Sequence, residues 1–214
     1  MRIYDTPAFP NPLRVRIALA EKGMSSEITF IPVDLPNAEH KQPPFLAMNP
    51  EGTVPVLELD DGTFISECTA ITTYFDRLDG EPILTGGTPK EIAVIQMMQK
   101  RAERELLYAV GNYFHYGTPG GGPILEAYKR PNWKGRTEWA HMERDRALAG
   151  MRYFDGLLEK QPYVGGETYS MADITVWAGL YFADLAQIPI SGEYAALWAW
   201  RGELNERSAI KHPA

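Results

Sequence analysis

The stretch GTVPVLELDDGTFISEC, residues 52–68, decides the fold. Pro55 opens an apolar run, and a strand tolerates proline only at an edge or a first position because proline cannot donate to the ladder. A cis Val54–Pro55 bond would turn the Val54 amide and carbonyl outward, where an extended peptide could pair with them as an added strand. A trans proline that simply ends a loop is the alternative, and both remain open at this point.

The second half of this stretch predicts a β-hairpin. Residues 60–63, Asp-Asp-Gly-Thr, form a turn signature between two apolar runs. The runs at 56–59 and 64–65 are therefore expected to pair. A helix over residues 68–78 closes the unit.

Upstream of the hairpin the sequence predicts a β-α-β unit. Residues 2–5 alternate as a short strand, residues 13–22 carry apolar side chains at helical spacing, and residues 29–33 are rich in β-branched side chains. Such a unit has a right-handed crossover, and the ends of its elements line a crevice. We therefore expect residues 1–80 to form a binding domain.

The second half of the chain is predicted to be an all-helical domain over residues 90–214. Residues 81–89 are rich in Gly, Pro and Thr, which is typical of a linker. Three long segments beyond it have helical periodicity: 90–113, 138–160 and 171–188. The intervening segment 118–133 is expected to begin as a loop. A helix is expected near residues 124–128, and the sequence does not fix where it begins or ends.

Composition excludes several classes of function. The chain has 214 residues, 44% of them hydrophobic, and a net charge of −7 without a basic stripe, so we expect neither disorder nor a nucleic-acid partner. No apolar run is long enough for a membrane span, and the first ten residues do not resemble a secretion signal. The single cysteine, Cys68, can form neither an internal disulfide nor a thiolate metal cage. A reducing cytoplasm and no metal are the expectation.

Residues 66–68, Ser-Glu-Cys, indicate a site for a zwitterionic head group. They stand at a predicted helix start, where free backbone amides and the helix dipole favour a carboxylate. Glu67 suits an ammonium group instead. Simple capping of the helix by Ser66, with no ligand, is the alternative.

Three stretches together resemble the cytosolic glutathione transferase family: YDTPAFPNPLRVRIALAEKG (4–23), GTVPVLELDDGTFISECTAITTYFD (52–76) and YSMADITV (169–176). Their order and spacing match the family along almost the whole chain. The resemblance implies an α/β thioredoxin-like N-terminal domain, an all-α C-terminal bundle and a homodimer. Ser170 and Asp173 form a capping box that is similar to the family's folding box, without a catalytic role.

The resemblance also implies a set of glutathione-binding residues. Val54, followed by Pro55, resembles the residue that pairs with the cysteinyl backbone, and Glu67 with Cys68 resembles the pair that receives the γ-glutamyl group. His40 and Lys41 resemble the basic residues that hold the glycine carboxylate. For Lys41, a solvated loop charge is nearly as good an interpretation.

The usual activating hydroxyl or thiol is absent from the loop after the first strand, which reads TPAFPNP with Phe9 near the usual serine position. The start of the first helix and the Asn11 amide are one candidate for stabilising a thiolate. His115 is the other, since the sequence is similar to an atypical fungal and bacterial group in which a histidine and a hydroxyl of the helical domain hold a water. Thr118 or Tyr116 would share that water, and a packed or capping histidine is the alternative.

The reaction implied by this resemblance is attack of glutathione on a small apolar electrophile. An apolar pocket is expected between residues 8–10 and the aromatic side chains Tyr108, Phe114 and Tyr116. Hydroperoxide reduction, dehalogenation and ether cleavage would look the same in sequence. A non-catalytic binding or assembly module is the competing class.

Overall fold

A mixed four-stranded sheet organises the N-terminal part of the chain. The computed structural model describes residues 1–129 and 133–214. Strands β1 (Arg2–Asp5), β2 (Thr29–Pro32), β3 (Val56–Glu58) and β4 (Phe64–Ser66) lie in the spatial order β2-β1-β3-β4. β1 is parallel to β2 and antiparallel to β3, and β3 is antiparallel to β4. The predicted β-α-β unit and the predicted hairpin are therefore confirmed.

Three helices pack with this sheet: α1 (Pro10–Glu21), α2 (Pro43–Met48) and α3 (Cys68–Arg77). α1 begins three residues before the predicted start at Leu13 because its prolines occupy the first turn, where a helix needs no backbone donor. The position before α3 is Glu67, with φ 72°, whereas Ser66 ends β4. The capping alternative for Ser66 was therefore wrong.

The rest of the described chain is helical. α4 runs from Pro89 to Ala102 and continues through a π-helical turn, Glu103–Leu107, into α5 (Tyr108–Gly117). The remaining helices are α6 (Pro123–Glu126), α7 (Arg136–Leu158), α8 (Met171–Leu185), α9 (Ala195–Asn205) and α10 (Ser208–Lys211). The predicted helical segment 90–113 is thus confirmed, although it extends over 89–117 and contains a π-helical turn. Residues 130–132, near the end of the segment with open bounds, lie outside the described residues.

Close helix packing surrounds the π-helical turn. A Cβ atom on Gly150 of α7 would collide with the Glu105 carbonyl oxygen, and one on Gly179 of α8 would come within 2.7 Å of the Leu106 side chain. Leu106 and Leu107 are fully or almost fully buried. Both neighbouring helices therefore approach the turn through a glycine, and the turn lies in the core of the helical part.

The connection between the sheet and the helical part is held by one buried carboxylate. Asp76 near the end of α3 accepts hydrogen bonds from the backbone amides of Ile83, Leu84 and Thr85, and from the Thr85 hydroxyl. The division into residues 1–80, 81–89 and 90–214 remains a prediction. Within the described ranges, no helix is long and apolar enough to cross a membrane.

A buried capping box starts α8. The Ser170 hydroxyl accepts from the Ala172 amide, while the Asp173 carboxylate accepts from the Ser170 amide and hydroxyl. Asp173 also accepts from the Val164 amide and the Trp200 indole. Its carboxylate therefore joins the start of α8 to the preceding loop and to α9.

We predict that Asp173→Ala lowers the free energy of unfolding by about 3 kcal/mol or more, because it leaves several buried donors without an acceptor. α4 supplies a matched control, since Thr88 and Glu91 form the same kind of box at an exposed helix start. Glu91→Ala should cost only about 1 kcal/mol. Urea denaturation of both variants checks this, and equal losses would contradict it.

Candidate functional site

A cleft of about 470 Å³ lies between the sheet and the helical part. One wall comes from the start of α1 and from the loops around α2: Phe9, Pro10, Asn11, Pro12, Leu35, Pro36, His40, Lys41, Gly52, Thr53 and Val54. The other wall comes from the helical part: Leu107, Tyr108, Gly111, Asn112, His115, Tyr116, Gly121, Leu125, Tyr128, Lys129 and Phe182. Most of the residues predicted from sequence thus meet in one place.

The wall at Val54 is shaped by the turn that precedes it. Asn49 is buried, and its side-chain amide donates to the Thr53 carbonyl at 2.9 Å. Gly52 has φ 57°, and a Cβ there would lie 2.7 Å from the His40 carbonyl oxygen. The backbone can therefore pass close to His40 only with glycine at this position. The Val54–Pro55 bond that follows is cis, as one of the two sequence interpretations required.

Glu67 and Cys68 lie at the start of α3, outside the residues that line the cleft. Glu67 is exposed, whereas Cys68 is buried and its thiol donates to the Asn11 carbonyl at 3.3 Å. Burial raises the pKa of the Cys68 thiol to about 11. The thiol is thus a packed neutral group, and the backbone amide of Cys68 is the polar group available to a ligand.

His40 and Lys41 are adjacent residues that line the cleft. His40 is buried, whereas Lys41 is half-buried. His40 is 8% exposed, and burial lowers its pKa to about 4. Lys41 donates to the Gly52 carbonyl at 2.6 Å and to the Glu51 carbonyl at 3.2 Å. Burial also lowers the pKa of Lys41. The interpretation of Lys41 as a solvated loop charge was therefore wrong.

Asn11 belongs to a buried hydrogen-bond chain that we call the Arg14 network: Asn11, Arg14, Thr69, Gln99 and Glu103. Arg14 donates to the Asn11 side-chain oxygen at 3.1 Å and to the Glu103 carboxylate at 2.8 Å. The Thr69 hydroxyl donates to the same carboxylate and accepts from Gln99. Because Arg14 occupies the Asn11 oxygen, the Asn11 amide hydrogens remain as donors at the edge of the cleft.

His115 lies on α5 and faces the cleft, with its ring against Phe114. Burial, and then the positive charges of Lys129 and Lys41, lower its pKa to about 4. His115 is therefore neutral at pH 7, with one ring nitrogen able to accept a hydrogen bond. Tyr116 also lines the cleft.

Thr118 is engaged elsewhere. Its hydroxyl donates to the Phe114 carbonyl and accepts from the Gly120 amide at 3.1 Å, so it closes the end of α5. Thr118 and Pro55 are not among the described residues that line the cleft, and neither is Phe114, whose expected place in the wall is taken by Phe182. Phe114 instead packs on Phe182 with ring centroids 5.4 Å apart.

Several residues of the cleft were missed by sequence reasoning. Asn112 donates from its amide to the buried Glu143 carboxylate at 2.8 Å. Lys129 lines the cleft from the loop after α6, and Tyr128 beside it accepts a hydrogen bond from Gln42 at 3.2 Å. These residues carry no local pattern, because their positions depend on how the segment after α5 folds back over the sheet.

The cleft differs in charge from the whole chain, which has a net charge of −7. None of the described residues that line it is Asp or Glu, whereas two lysines and two histidines do line it. Within the described ranges, no group of three or more His, Cys, Asp or Glu residues is arranged to hold a metal ion. The lining is suited to an anionic ligand.

Comparison with known proteins identifies the family. The model "Glutathione S-transferase, N-terminal domain" matches residues 10–78, and the model "Glutathione S-transferase, C-terminal domain" matches residues 137–203. Glutathione S-transferase 2 of Saccharomyces cerevisiae is 56% identical over 211 residues, covering 99% of this chain and 88% of the yeast protein. The chain belongs to the glutathione S-transferase family.

Solved structures agree with this assignment. The crystal structure of Gtt2 from Saccharomyces cerevisiae superposes with a TM-score of 0.94 at 56% identity, covering 99% of each chain. A glutathione S-transferase domain-containing protein from Marinobacter aquaeolei VT8 has a TM-score of 0.92 at 48% identity, covering 98% of this chain and all of the other. The glutathione S-transferase fold predicted from sequence is confirmed.

Burial of His115 in this glutathione S-transferase has a consequence for stability against acid. The unfolded chain binds a proton on histidine near pH 6.5, whereas folded His115 does so only near pH 4. Between these values the unfolded state binds more protons, so His115 makes the free energy of unfolding fall as the pH drops.

We therefore predict that His115→Gln makes the loss of stability between pH 6.5 and pH 4.5 less steep. Chemical denaturation at a series of pH values measures the slope. A His115→Gln slope equal to that of the unmodified protein would contradict the prediction.

Proposed function

We propose that this glutathione S-transferase joins the thiolate of glutathione to small apolar electrophiles. The observation that carries the proposal is the composition of the cleft. It combines the Val54 backbone ahead of cis-Pro55, cationic side chains without a carboxylate among the described lining residues, and an aromatic wall. A tripeptide anion and an apolar second substrate fit such a site side by side.

Glutathione is proposed to bind along the sheet domain as an added strand. The Val54 backbone pairs with the cysteinyl unit next to cis-Pro55. The γ-glutamyl group lies at the start of α3, with its carboxylate at the Cys68 amide and its ammonium at Glu67. The glycine carboxylate lies near His40 and Lys41.

The thiolate is proposed to be stabilised by neutral donors and a helix dipole. The Asn11 amide and the first turn of α1 face the cleft, and such groups favour a negative sulfur. A shift of the thiol pKa from about 8.5 to between about 6 and 7 corresponds to roughly 2–3 kcal/mol. Neutral His115 accepts from a water that donates to the sulfur, with the Tyr116 hydroxyl as the second contact. Thr118 is the less suitable partner because its hydroxyl is already bonded on both sides.

The electrophile is proposed to lie against Phe9, Tyr108, Tyr116 and Phe182. Burial raises the pKa of the Tyr108 hydroxyl to about 12, so it remains a neutral donor at pH 7. Aromatic faces favour flat or apolar molecules over sugars and phosphates. Hydroperoxide reduction would use the same thiolate and belongs to the same proposal as a side reaction.

A role in detoxification or catabolism, a cytoplasmic location and a homodimer complete the proposal. The resemblance of the chain to the glutathione transferase family implies them, and the yeast relative named glutathione S-transferase 2, which the chain matches over nearly its full length, supports the transferase activity itself. The alternative is a protein that keeps the fold and binds glutathione without chemistry. Turnover separates the two.

We predict conjugation of glutathione to 1-chloro-2,4-dinitrobenzene, followed by its absorbance, and a fall of about 10- to 100-fold in kcat for His115→Ala. The KM for glutathione should change by less than about threefold, because His115 acts on the sulfur and not on peptide binding. His212→Ala is the control and should keep the parent rate.

Asn11→Ala should lower kcat and also move the acid limb of the kcat profile to higher pH, since the thiolate loses a donor.

If the unmodified protein turns over no electrophile but binds glutathione in calorimetry, the non-catalytic alternative is correct. A His115→Ala enzyme with the parent kcat would remove His115 from the mechanism.

A further inference from the structure

We propose that Lys129, on the helical side of the cleft, is a second lysine ligand of the glycine carboxylate of glutathione, opposite Lys41. This inference rests on the proposed function. It adds to the basic pair of the sheet domain a residue from the loop after α6. The glycine end of the peptide would then be held between the two walls of the cleft.

The charge of the cleft is the first argument. His40 and His115 are neutral at pH 7, because the pKa of each is lowered to about 4. Among the described residues that line the cleft, the remaining basic side chains are Lys41 and Lys129. A carboxylate drawn into the cleft has these two ammonium groups to pair with.

The position of the two lysines is the second argument. Gln42, next to Lys41, donates from its side chain to the Tyr128 hydroxyl at 3.2 Å, and Tyr128 is next to Lys129. Lys41, Lys129 and His115 also line the same cleft. The Gln42–Tyr128 bond thus brings the two lysine-bearing loops together across the mouth of the cleft.

The contacts of Lys129 fix the position of its side chain. It is 9% exposed, its ammonium is 2.7 Å from Glu126, and it lies 5.8 Å from the centre of the Tyr116 ring. Glu126 is 45% exposed and also pairs with Arg136, so its negative charge is shared and partly solvated. Lys129 has three donors, which leaves hydrogens for a ligand carboxylate besides the one that Glu126 accepts.

Lys41 alone has too few free hydrogen-bond donors to satisfy a carboxylate. Two of its three donors already reach the carbonyls of Gly52 and Glu51. A carboxylate accepts more hydrogen bonds than the remaining donor supplies. A second ammonium from the opposite wall would meet this need.

The test compares two ligands on two variants by isothermal titration calorimetry. The ligands are glutathione and its glycyl monoethyl ester, which lacks the glycine carboxylate. The variants are Lys129→Met and the control Lys134→Met, which removes one positive charge from an exposed position in the same segment. We expect Lys129→Met to weaken glutathione binding about tenfold, since a charge-assisted hydrogen bond is lost, and to leave ester binding within twofold. Lys134→Met should alter neither affinity.

Three results would overturn the inference. They are an unchanged glutathione affinity in Lys129→Met, an equal loss for glutathione and the ester, and an equal loss in Lys134→Met. The first removes Lys129 as a ligand, the second indicates a structural effect, and the third indicates an effect of overall charge. If the unmodified protein binds neither ligand, the proposed function itself fails, which is a different outcome from binding that is indifferent to Lys129.

Discussion

The buried ion pair between Arg14 of α1 and Glu103 of the π-helical turn is the contact on which the cleft depends. Both side chains are almost completely buried, at 1% and 7% exposure. Loss of one partner from such a pair leaves an unpaired buried charge, at a cost of about 3–5 kcal/mol. Asn11 precedes Arg14 by less than one turn, and Leu107 and Tyr108 follow Glu103 by about one turn. The pair therefore fixes the distance between the two walls that these residues form.

Most of the sheet domain could be predicted because local sequence features specify its elements. The turn at residues 60–63 lies between two apolar runs and, with Pro55 ahead of the first run, specifies the hairpin from local sequence. The π-helical turn was not predictable, because an extra residue per turn is favoured there by packing against Gly150 and Gly179, which are distant in sequence. α2 carries no clear helix signal in the sequence, because it is only six residues long and begins with Pro43 and Pro44, which fill its first turn.

The residues of the candidate site likewise fall into those that the sequence predicts and those that it does not. Val54 and Asn11 could be named because they lie in stretches that resemble the family, and His40 because the resemblance implies a basic residue for the glycine carboxylate. Lys129 could not, because the loop after α6 has neither periodicity nor a motif and reaches the cleft only when the helical part folds over the sheet. Thr118 was named for its hydroxyl, but the sequence does not reveal that this hydroxyl bonds to the carbonyl and amide of its own loop.

Burial of His40 and His115 determines which groups of the cleft can stabilise a thiolate. A charged imidazolium would stabilise the sulfur strongly, but desolvation lowers the pKa of both rings to about 4, so neither carries that charge at neutral pH. In the proposed mechanism, stabilisation of the anion therefore comes from groups that need no proton uptake: the Asn11 amide and the first turn of α1. The Asn11 amide and the helix dipole do not titrate. The pH dependence of the reaction should therefore follow the thiol of glutathione and not a histidine of the protein.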